Sequence, residues 1–553
     1  MADLEGAFKR LNATIEREIE TLNHPGLAIG ITDCERLLFC GRYGLANREA
    51  KLPVTPETLF QIGSISKAFT SIALLQLQEQ GLLNIDDPVT KYLPWFEVRS
   101  EYAPITLHHL MSHTAGIITG SDETPAAATE VWNLRYTRAT VPPGEMFHYS
   151  NSGYKALGLV LQTILDQSMA EILRQRVLDP LGMTATEPVF THAIRPRLAI
   201  GYESYYDDRP HPRGGLLAPA TWFESDTADG SICSTAEDMC CYLRALLQRG
   251  AGLLTPESFE LLIQPFIPTE DDLHGEHYGL GMCTKHLDGH HIISHSGGMV
   301  GYQTHLLADL DAGLGIVALG NSPYEPEKIA NFAWEQLAAT LDGREIPEIR
   351  QADACAVQNT EDYVGRYRCG DREFILTSQG EHLYLKFEGE LALLEPAQPG
   401  GFLVPHPSFE LFLLYFGRDP NSQGEETTQI TEALHGPDVY RREGSAFSKK
   451  VEFSSQDVYS VEAEHSAEWN AFPGHYRSHN PWYSNFRVVL RKARLLLIEP
   501  NGEEHVLHPI EPGLFRVSDD PHSPEFLRFE VIIDGKAQFA YHSGGAYCRT
   551  FTP

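Results

Sequence analysis

Ser64-Ile65-Ser66-Lys67 lies between an apolar run ending at Ile62-Gly63 and a helical stretch from Ala68 to Gln80. That spacing puts the Ser64 hydroxyl and the Lys67 amine on one face of a helical turn. A serine hydroxyl is a poor nucleophile until a neighbouring base takes its proton. A buried lysine whose pKa is lowered by desolvation can be that base. The spacing alone is common on solvated helix surfaces, so its weight comes from two further motifs downstream. Tyr149-Ser150-Asn151 comes after Pro142-Pro143-Gly144-Glu145 and precedes a helical pattern from Gly153 to Ile164. His295-Ser296-Gly297-Gly298 continues the short apolar strand His291-Ile292-Ile293-Ser294.

An S-x-x-K helix, a Tyr-x-Asn loop and a His-x-Gly strand, in this order, resemble the three-part arrangement of serine β-lactamases and penicillin-binding proteins. The segments Thr106 to Gly116 (TLHHLMSHTAG) and Asp229 to Met239 (DGSICSTAEDM) resemble two further signatures of the same superfamily. Residues from about 10 to 345 thus resemble the β-lactamase-related serine hydrolases, a group of class C β-lactamases, DD-peptidases, D-aminopeptidases and esterases. The resemblance implies an α/β (α+β) fold, with an antiparallel sheet flanked by helices, an all-helical region, and the active site at their boundary.

The pattern along the chain agrees with that architecture. Gly26 to Asp33 and Arg36 to Gly44 read as a hairpin. Helical periodicity covers Lys67–Gln80, Leu107–Ser112, Gly153–Leu165, Met169–Val177 and Ala236–Gln248. Strands return at Ile292–Ser294, Gly301–Ala308 and Gly315–Leu319, and a helix from Pro326 to Leu341 closes the unit. Beyond about Arg350, short alternating strands punctuated by Gly, Pro and Asn predict a β-barrel or sandwich. Tyr363-Val364-Gly365-Arg366-Tyr367-Arg368 recurs as Phe472-Pro473-Gly474-His475-Tyr476-Arg477, and the copies end near Tyr440-Arg441 and near Tyr547 with Arg549. A repeat of roughly 110 residues suggests two copies of one small antiparallel domain, since solenoid periods are shorter. The expected domains are 1–348 (hydrolase), 358–455 (a lipocalin-like barrel) and 466–553 (a second barrel). The pair resembles the barrels appended to some D-aminopeptidases. The acidic stretch Gln423 to Glu426 is expected in an exposed loop.

At 553 residues the chain exceeds one compact core. Lysine and arginine total 43 against 75 acidic residues, a formal charge of -32 that repels nucleic acid and anionic membranes. No stretch reaches the roughly 18 apolar residues of a membrane span. Met1 to Glu20 reads as an amphipathic helix rather than an export signal. The nine cysteines are scattered and odd in number, which argues against a disulfide framework. The expected location is cytoplasmic, unless an export signal has been removed.

Within this framework Ser64 is the expected nucleophile, with its own N–H turned to the developing oxyanion at a helix start; Ser66 could serve as the N-cap. Lys67 shares the proton with Tyr149, and the sequence leaves open which of them removes it. Asn151 offers an amide to the substrate's acyl side and to the lysine. His295 stands where class C β-lactamases carry lysine, and it is expected to donate to a substrate carboxylate or carbonyl. Gly297 and Gly298 permit close backbone approach, and the Gly298 N–H is the expected second oxyanion donor. His109 and His113 have the i,i+4 spacing of a zinc motif but lack its glutamate, so no metal is expected. No phosphate-binding or dinucleotide fingerprint occurs, and no cofactor is expected. These features predict a serine hydrolase with an acyl-enzyme at Ser64. A peptidase or amidase on short peptides or D-aminoacyl substrates leads. The alternatives are an esterase or acyl-transferase on small esters, and a slow-turnover penicillin-binding receptor. The C-terminal domains are expected to restrict access to the cleft and are candidates for homo-oligomer contacts.

Overall fold

The strand Gly26–Thr32 (GLAIGIT) is buried on both faces, as expected for a central strand covered by helices on each side. In this computed structural model, which describes residues 4–122, 126–269, 275–324, 326–344, 353–397, 400–418, 430–444 and 466–550, the strand lies third in an antiparallel nine-stranded sheet. It pairs with Leu37–Asn47 on one side and with Leu314–Gly320 on the other. Tyr302–Asp309 and then His290–Met299 continue the sheet.

Alternation sorts the side chains by face. Leu27, Ile29 and Ile31 join Ile316 and Ala318 under two helices, Leu4–Thr21 and Glu327–Asp342. Ala28, Val317 and Leu319 face the larger core, built with Met239, Cys240 and Leu243 of the helix Ala236–Leu247. Burying each such aliphatic side chain contributes about 1.5–3 kcal/mol relative to leaving it exposed.

The helix Ser66–Glu79 is buried almost all round, including Ser66, Lys67, Phe69, Thr70 and Ser71. A helix so placed is a central strut rather than a surface element. Phe69 stacks on Tyr242 at 4.2 Å, tying it to the sheet-covering helix. Its far side meets the helical region, which includes Leu107–Met111, Asn151–Leu165 and Met169–Leu173. The expected helix over Met169–Val177 ends at Leu173 and widens into a π-turn over Arg174–Leu178. Among the described residues no single helix is long and apolar enough to cross a membrane.

The two sequence repeats have the same local construction. Tyr367 and Tyr476 are fully buried, and their hydroxyls donate to the carbonyls of Tyr363 and Phe472 at 2.8 and 2.7 Å. Arg442 and Arg549 sit opposite them in register and cap nearby carbonyls. The arginine equivalent to Arg549 is therefore Arg442, not Arg441 as the sequence suggested. The second copy is a closed eight-stranded barrel running from Gly474–Arg477 to Gly545–Arg549. Among the described residues the first is a nine-stranded sheet whose terminal strands, Glu390–Leu393 and Glu395–Pro396, are neighbours in sequence but not hydrogen-bonded. The acidic stretch at 423–426 and the boundaries placed at 348, 455 and 553 lie outside the described residues.

Candidate active site

Ser64 sits in a 3-10 turn, Gly63–Ile65, that runs directly into the Ser66–Glu79 helix. Gly63 takes φ +53°, and a Cβ there would meet the backbone of Gly298. The turn is thus pressed against the strand His290–Met299, which is longer than its apolar half suggested. Gly297 is tighter still: a Cβ would run into the Ile62 carbonyl and the Thr304 hydroxyl. Thr304 bonds both the Ile62 and Gly297 carbonyls, at 3.0 and 3.1 Å, and so fixes the distance between nucleophile turn and strand. Gly297→Ala is expected to cost about 1–3 kcal/mol by overpacking and to depress turnover, read by thermal melting and initial rates together. Ser66 is not a cap: its Oγ accepts the Ile232 N–H at 3.2 Å, and Ile65 occupies the N-cap without a side-chain bond.

Lys67 is fully buried with its Nζ directed into the site. It donates to Ser64 Oγ at 2.9 Å, to Asn151 Oδ1 at 2.8 Å and to the Asp229 carbonyl at 3.0 Å. Burial lowers its pKa to about 8, although Asp229 and Asp122 pull the other way. About a tenth of the amine is then neutral at pH 7. Asn151 begins the helix Asn151–Leu165, two residues earlier than the sequence pattern placed it, because Ser150 caps that helix by accepting the Gly153 N–H at 3.1 Å.

Tyr149 packs beneath the Lys67 ammonium, which lies 4.7 Å from its ring centre. Its hydroxyl is buried with no hydrogen-bond partner among the described residues. Burial lifts its pKa well above the usual phenol range, and the nearby Ser64 hydroxyl only partly opposes this. The shift favours the protonated phenol in the resting site.

His295 lies behind Tyr149, with ring centres 6.4 Å apart. Its Nδ1 donates to the Ser296 carbonyl at 2.6 Å, so in the neutral ring Nε2 accepts from the Tyr278 hydroxyl at 2.9 Å. Burial, with Lys67 adding to it, lowers the imidazole pKa to about 3. Both nitrogens are engaged and the ring is uncharged. Both His295 nitrogens are thus occupied within the protein, and donation to a substrate would require Nε2 to exchange the Tyr278 hydroxyl for it. His113 supports the site, accepting the Ser150 N–H through Nδ1 at 3.0 Å. His109 instead closes a capping box with Thr106.

Ser64 opens onto a cavity of about 130 Å³ shared with Asn151 and Gly298. Three charged groups not among the site residues expected from sequence also line it: Asp122, Lys155 and Asp229, the last at the head of the Asp229 to Met239 signature. Burial opposes the Lys155 charge, but Asp229, Asp122 and Glu130 outweigh it and raise its pKa. Lys155 bonds both Asp122 and Glu130, the latter at 2.8 Å. Asp229, by contrast, keeps a buried Oδ1 without a hydrogen-bond partner among the described residues. Part of the wall comes from the second barrel through Pro481 and Trp482, with Phe223 packed 6.0 Å from the Trp482 ring. Among the described residues, one trio could meet a single cation: Glu499, Glu503 and His505. They lie on a barrel hairpin, not in the Ser64 cavity, and Glu499 already bonds His505 at 3.1 Å.

Comparison with known proteins places this geometry. A family model described as Beta-lactamase matches residues 11–340. Protein flp of Staphylococcus aureus (strain COL) is 28% identical over 341 residues, covering 59% of this chain and 65% of its own length. The chain thus spans slightly less than two thirds of that relative. Penicillin-binding protein 4* of Bacillus subtilis (strain 168) is 24% identical over 400 residues, 68% of this chain and 87% of that protein. Among solved structures, the octameric penicillin-binding protein homologue from Pyrococcus abyssi superposes with a TM-score of 0.57 at 26% identity. That alignment covers 78% of this chain and 99% of the other.

Proposed function

The chain belongs to the β-lactamase family, and from that premise we propose that it is a serine hydrolase cleaving small aminoacyl amides and short peptides through an acyl-enzyme on Ser64. The observation that carries the reading is the buried Lys67 amine, 2.9 Å from Ser64 Oγ with its pKa lowered to about 8. Neutral Lys67 takes the Ser64 proton as Oγ bonds to the acyl carbon. The carbonyl electron pair moves to oxygen, beside the backbone N–H groups of Ser64 and Gly298. The tetrahedral centre collapses, the leaving amine departs with a proton returned through Lys67 and the Tyr149 phenol, and the acyl group stays on Ser64. Water, deprotonated by the same lysine, then releases the acid.

The lining of the cavity supports the substrate class. The unpartnered Asp229 carboxylate oxygen offers a counter-ion to an α-ammonium next to the scissile carbonyl. Trp482 and the small volume favour short acyl side chains. The neutral, doubly bonded His295 supplies no fixed cation for a substrate carboxylate, which weighs against an efficient β-lactamase.

The test compares D- and L-alanine p-nitroanilide with their N-acetyl forms. Free-amine substrates are expected to be hydrolysed about 10²-fold faster, as for a desolvated charge contact of about 2–3 kcal/mol. Asp229→Asn should erase most of that preference while sparing p-nitrophenyl acetate. Equal rates on free and acetylated amides would reject the aminoacyl reading. Ester turnover without amide turnover would favour an esterase.

A further inference from the structure

The second barrel does more than wall the cavity. Glu525, at the entrance to the barrel strand Phe526–Ile533, reaches into the hydrolase domain. Its Oε1 accepts the Thr119 N–H at 2.7 Å and bonds His148 Nε2 at 2.9 Å. The other carboxylate oxygen accepts from the buried Ser543 hydroxyl of the barrel. Glu525 therefore joins one barrel residue to two hydrolase residues around a single carboxylate.

Both hydrolase partners adjoin the catalytic loop. His148 immediately precedes Tyr149, and its N–H donates to the His113 carbonyl at 2.8 Å. The Thr119 hydroxyl donates to the Tyr149 carbonyl at 2.9 Å, while the Thr119 carbonyl accepts the Ser152 N–H at 3.0 Å. Asn480, from the same barrel, adds a bond to the Ser121 carbonyl at 2.7 Å. Ser121 precedes Asp122, whose Oδ2 lies 3.4 Å from Asn151 Nδ2. The barrel thus grips the two segments that carry Tyr149, Asn151 and Asp122. Beside this grip lies a cavity of about 700 Å³ between barrel and hydrolase domain, lined by both Glu525 and His148.

We propose that Glu525 is a positioning residue for the Ser64 site, holding the Tyr149–Asn151 segment in register from the second barrel through Thr119 and His148. The proposal rests on the hydrolase reading for its kinetic consequence only. Burial alone would raise a carboxyl pKa, but the His148 bond and charge bring that of Glu525 down to about 2, so the carboxylate stays ionised across the neutral range. Loss of the grip displaces the phenol and amide relative to Lys67, and a displacement of about 1 Å can cost about 10²-fold in rate.

The test uses the full-length protein with Glu525→Ala, Glu525→Gln and Thr119→Val, with Ser64→Ala as the activity blank. Glu525→Ala is expected to lower kcat about 10²-fold with KM within about threefold. Glu525→Gln keeps an oxygen for Thr119 and His148 and should restore kcat to within about tenfold of wild type. Amide hydrogen exchange over residues 117–122 and 146–152 should accelerate in Glu525→Ala and be restored in Glu525→Gln. A folded Glu525→Ala protein with unchanged kcat and unchanged exchange overturns the proposal. Should Glu525→Ala fail to give a cooperative melt, Thr119→Val decides: it keeps the backbone bond to Glu525 but loses the hydroxyl bond to Tyr149. It is expected to lower kcat about tenfold, and no change would overturn the proposal. If the wild-type protein shows no Ser64-dependent turnover, the hydrolase reading fails, while the exchange data still decide whether Glu525 holds this segment.

Discussion

Ser64→Ala is expected to lower turnover of p-nitrophenyl acetate and aminoacyl anilides on the order of 10⁴–10⁶-fold, as removal of a serine nucleophile does in other acyl-transfer sites. The protein should still fold. Ser64 is only half-buried and heads a turn whose shape is set by Gly63, Gly297 and Thr304, not by its hydroxyl. Melting temperature and circular dichroism should match wild type within a few degrees. The residual rate, measured with substrate in excess, reports background hydrolysis by the cavity alone. A variant that keeps more than a tenth of wild-type kcat would show that another group forms the bond to the acyl carbon.

The second large effect concerns Lys67 and has a sign. Only the neutral amine can accept the Ser64 proton, and folding lowers its pKa from 10.5 to about 8. With an uncharged ester, which does not itself titrate, kcat/KM should rise with pH through about 8 and level off above it. Below that midpoint the slope should approach one decade per pH unit. Lys67→Arg keeps a cation that holds its proton throughout this range. It should lose about 10²–10⁴-fold, the span that general base catalysis supplies, along with the titrating limb. Tyr149→Phe should retain the limb near pH 8, because the buried phenol is already protonated across that range. A limb that vanishes in Tyr149→Phe and survives in Lys67→Arg would reverse the assignment of base.

The sequence made visible whatever depends on local spacing. Ser64 and Lys67 face each other because one helical turn brings i and i+3 together, and the hydroxyl-to-amine distance of 2.9 Å reflects it. Gly297 and Gly298 were legible as a place of close backbone approach, which the Ile62 and Gly63 contacts explain. His295 was legible as a member of the site but its partner was not: Tyr278 meets Nε2 from a neighbouring part of the sheet, and nothing in the local pattern announces this. Asp229 stood inside a superfamily signature, yet its unpartnered carboxylate oxygen emerges only once the surrounding hydroxyls are seen to bond one another, as Ser225 and Ser231 do at 2.8 Å. Lys155 lies one turn beyond Asn151 on the same helix, a spacing that could have drawn it into the site. Trp482 and Glu525 carried no such signal. They reach the site from a domain more than 300 residues further along the chain, through contacts that only tertiary packing creates.

The repeat shows the same limit at smaller scale. Buried tyrosines and glycines recur at matching positions, so two related β domains could be inferred. The choice between Arg441 and Arg442, however, depends on which side chain turns inward, and strand alternation settles that only when the register is known. Closure of the second copy, and the open pairing among the described residues of the first, likewise emerge only from the strand pairing.

Trapping the covalent intermediate tests the central claim most directly. The protein is quenched in acid during turnover of a slowly hydrolysed acyl ester, digested, and analysed by mass spectrometry. The expected result is a mass increase equal to the acyl group on the peptide containing Ser64. It should be absent from Ser64→Ala, and it should accumulate to higher occupancy in Lys67→Arg if deacylation is slowed more than acylation. An adduct on any other residue, or turnover that continues with Ser64 unmodified and alanine tolerated in its place, would contradict the claim.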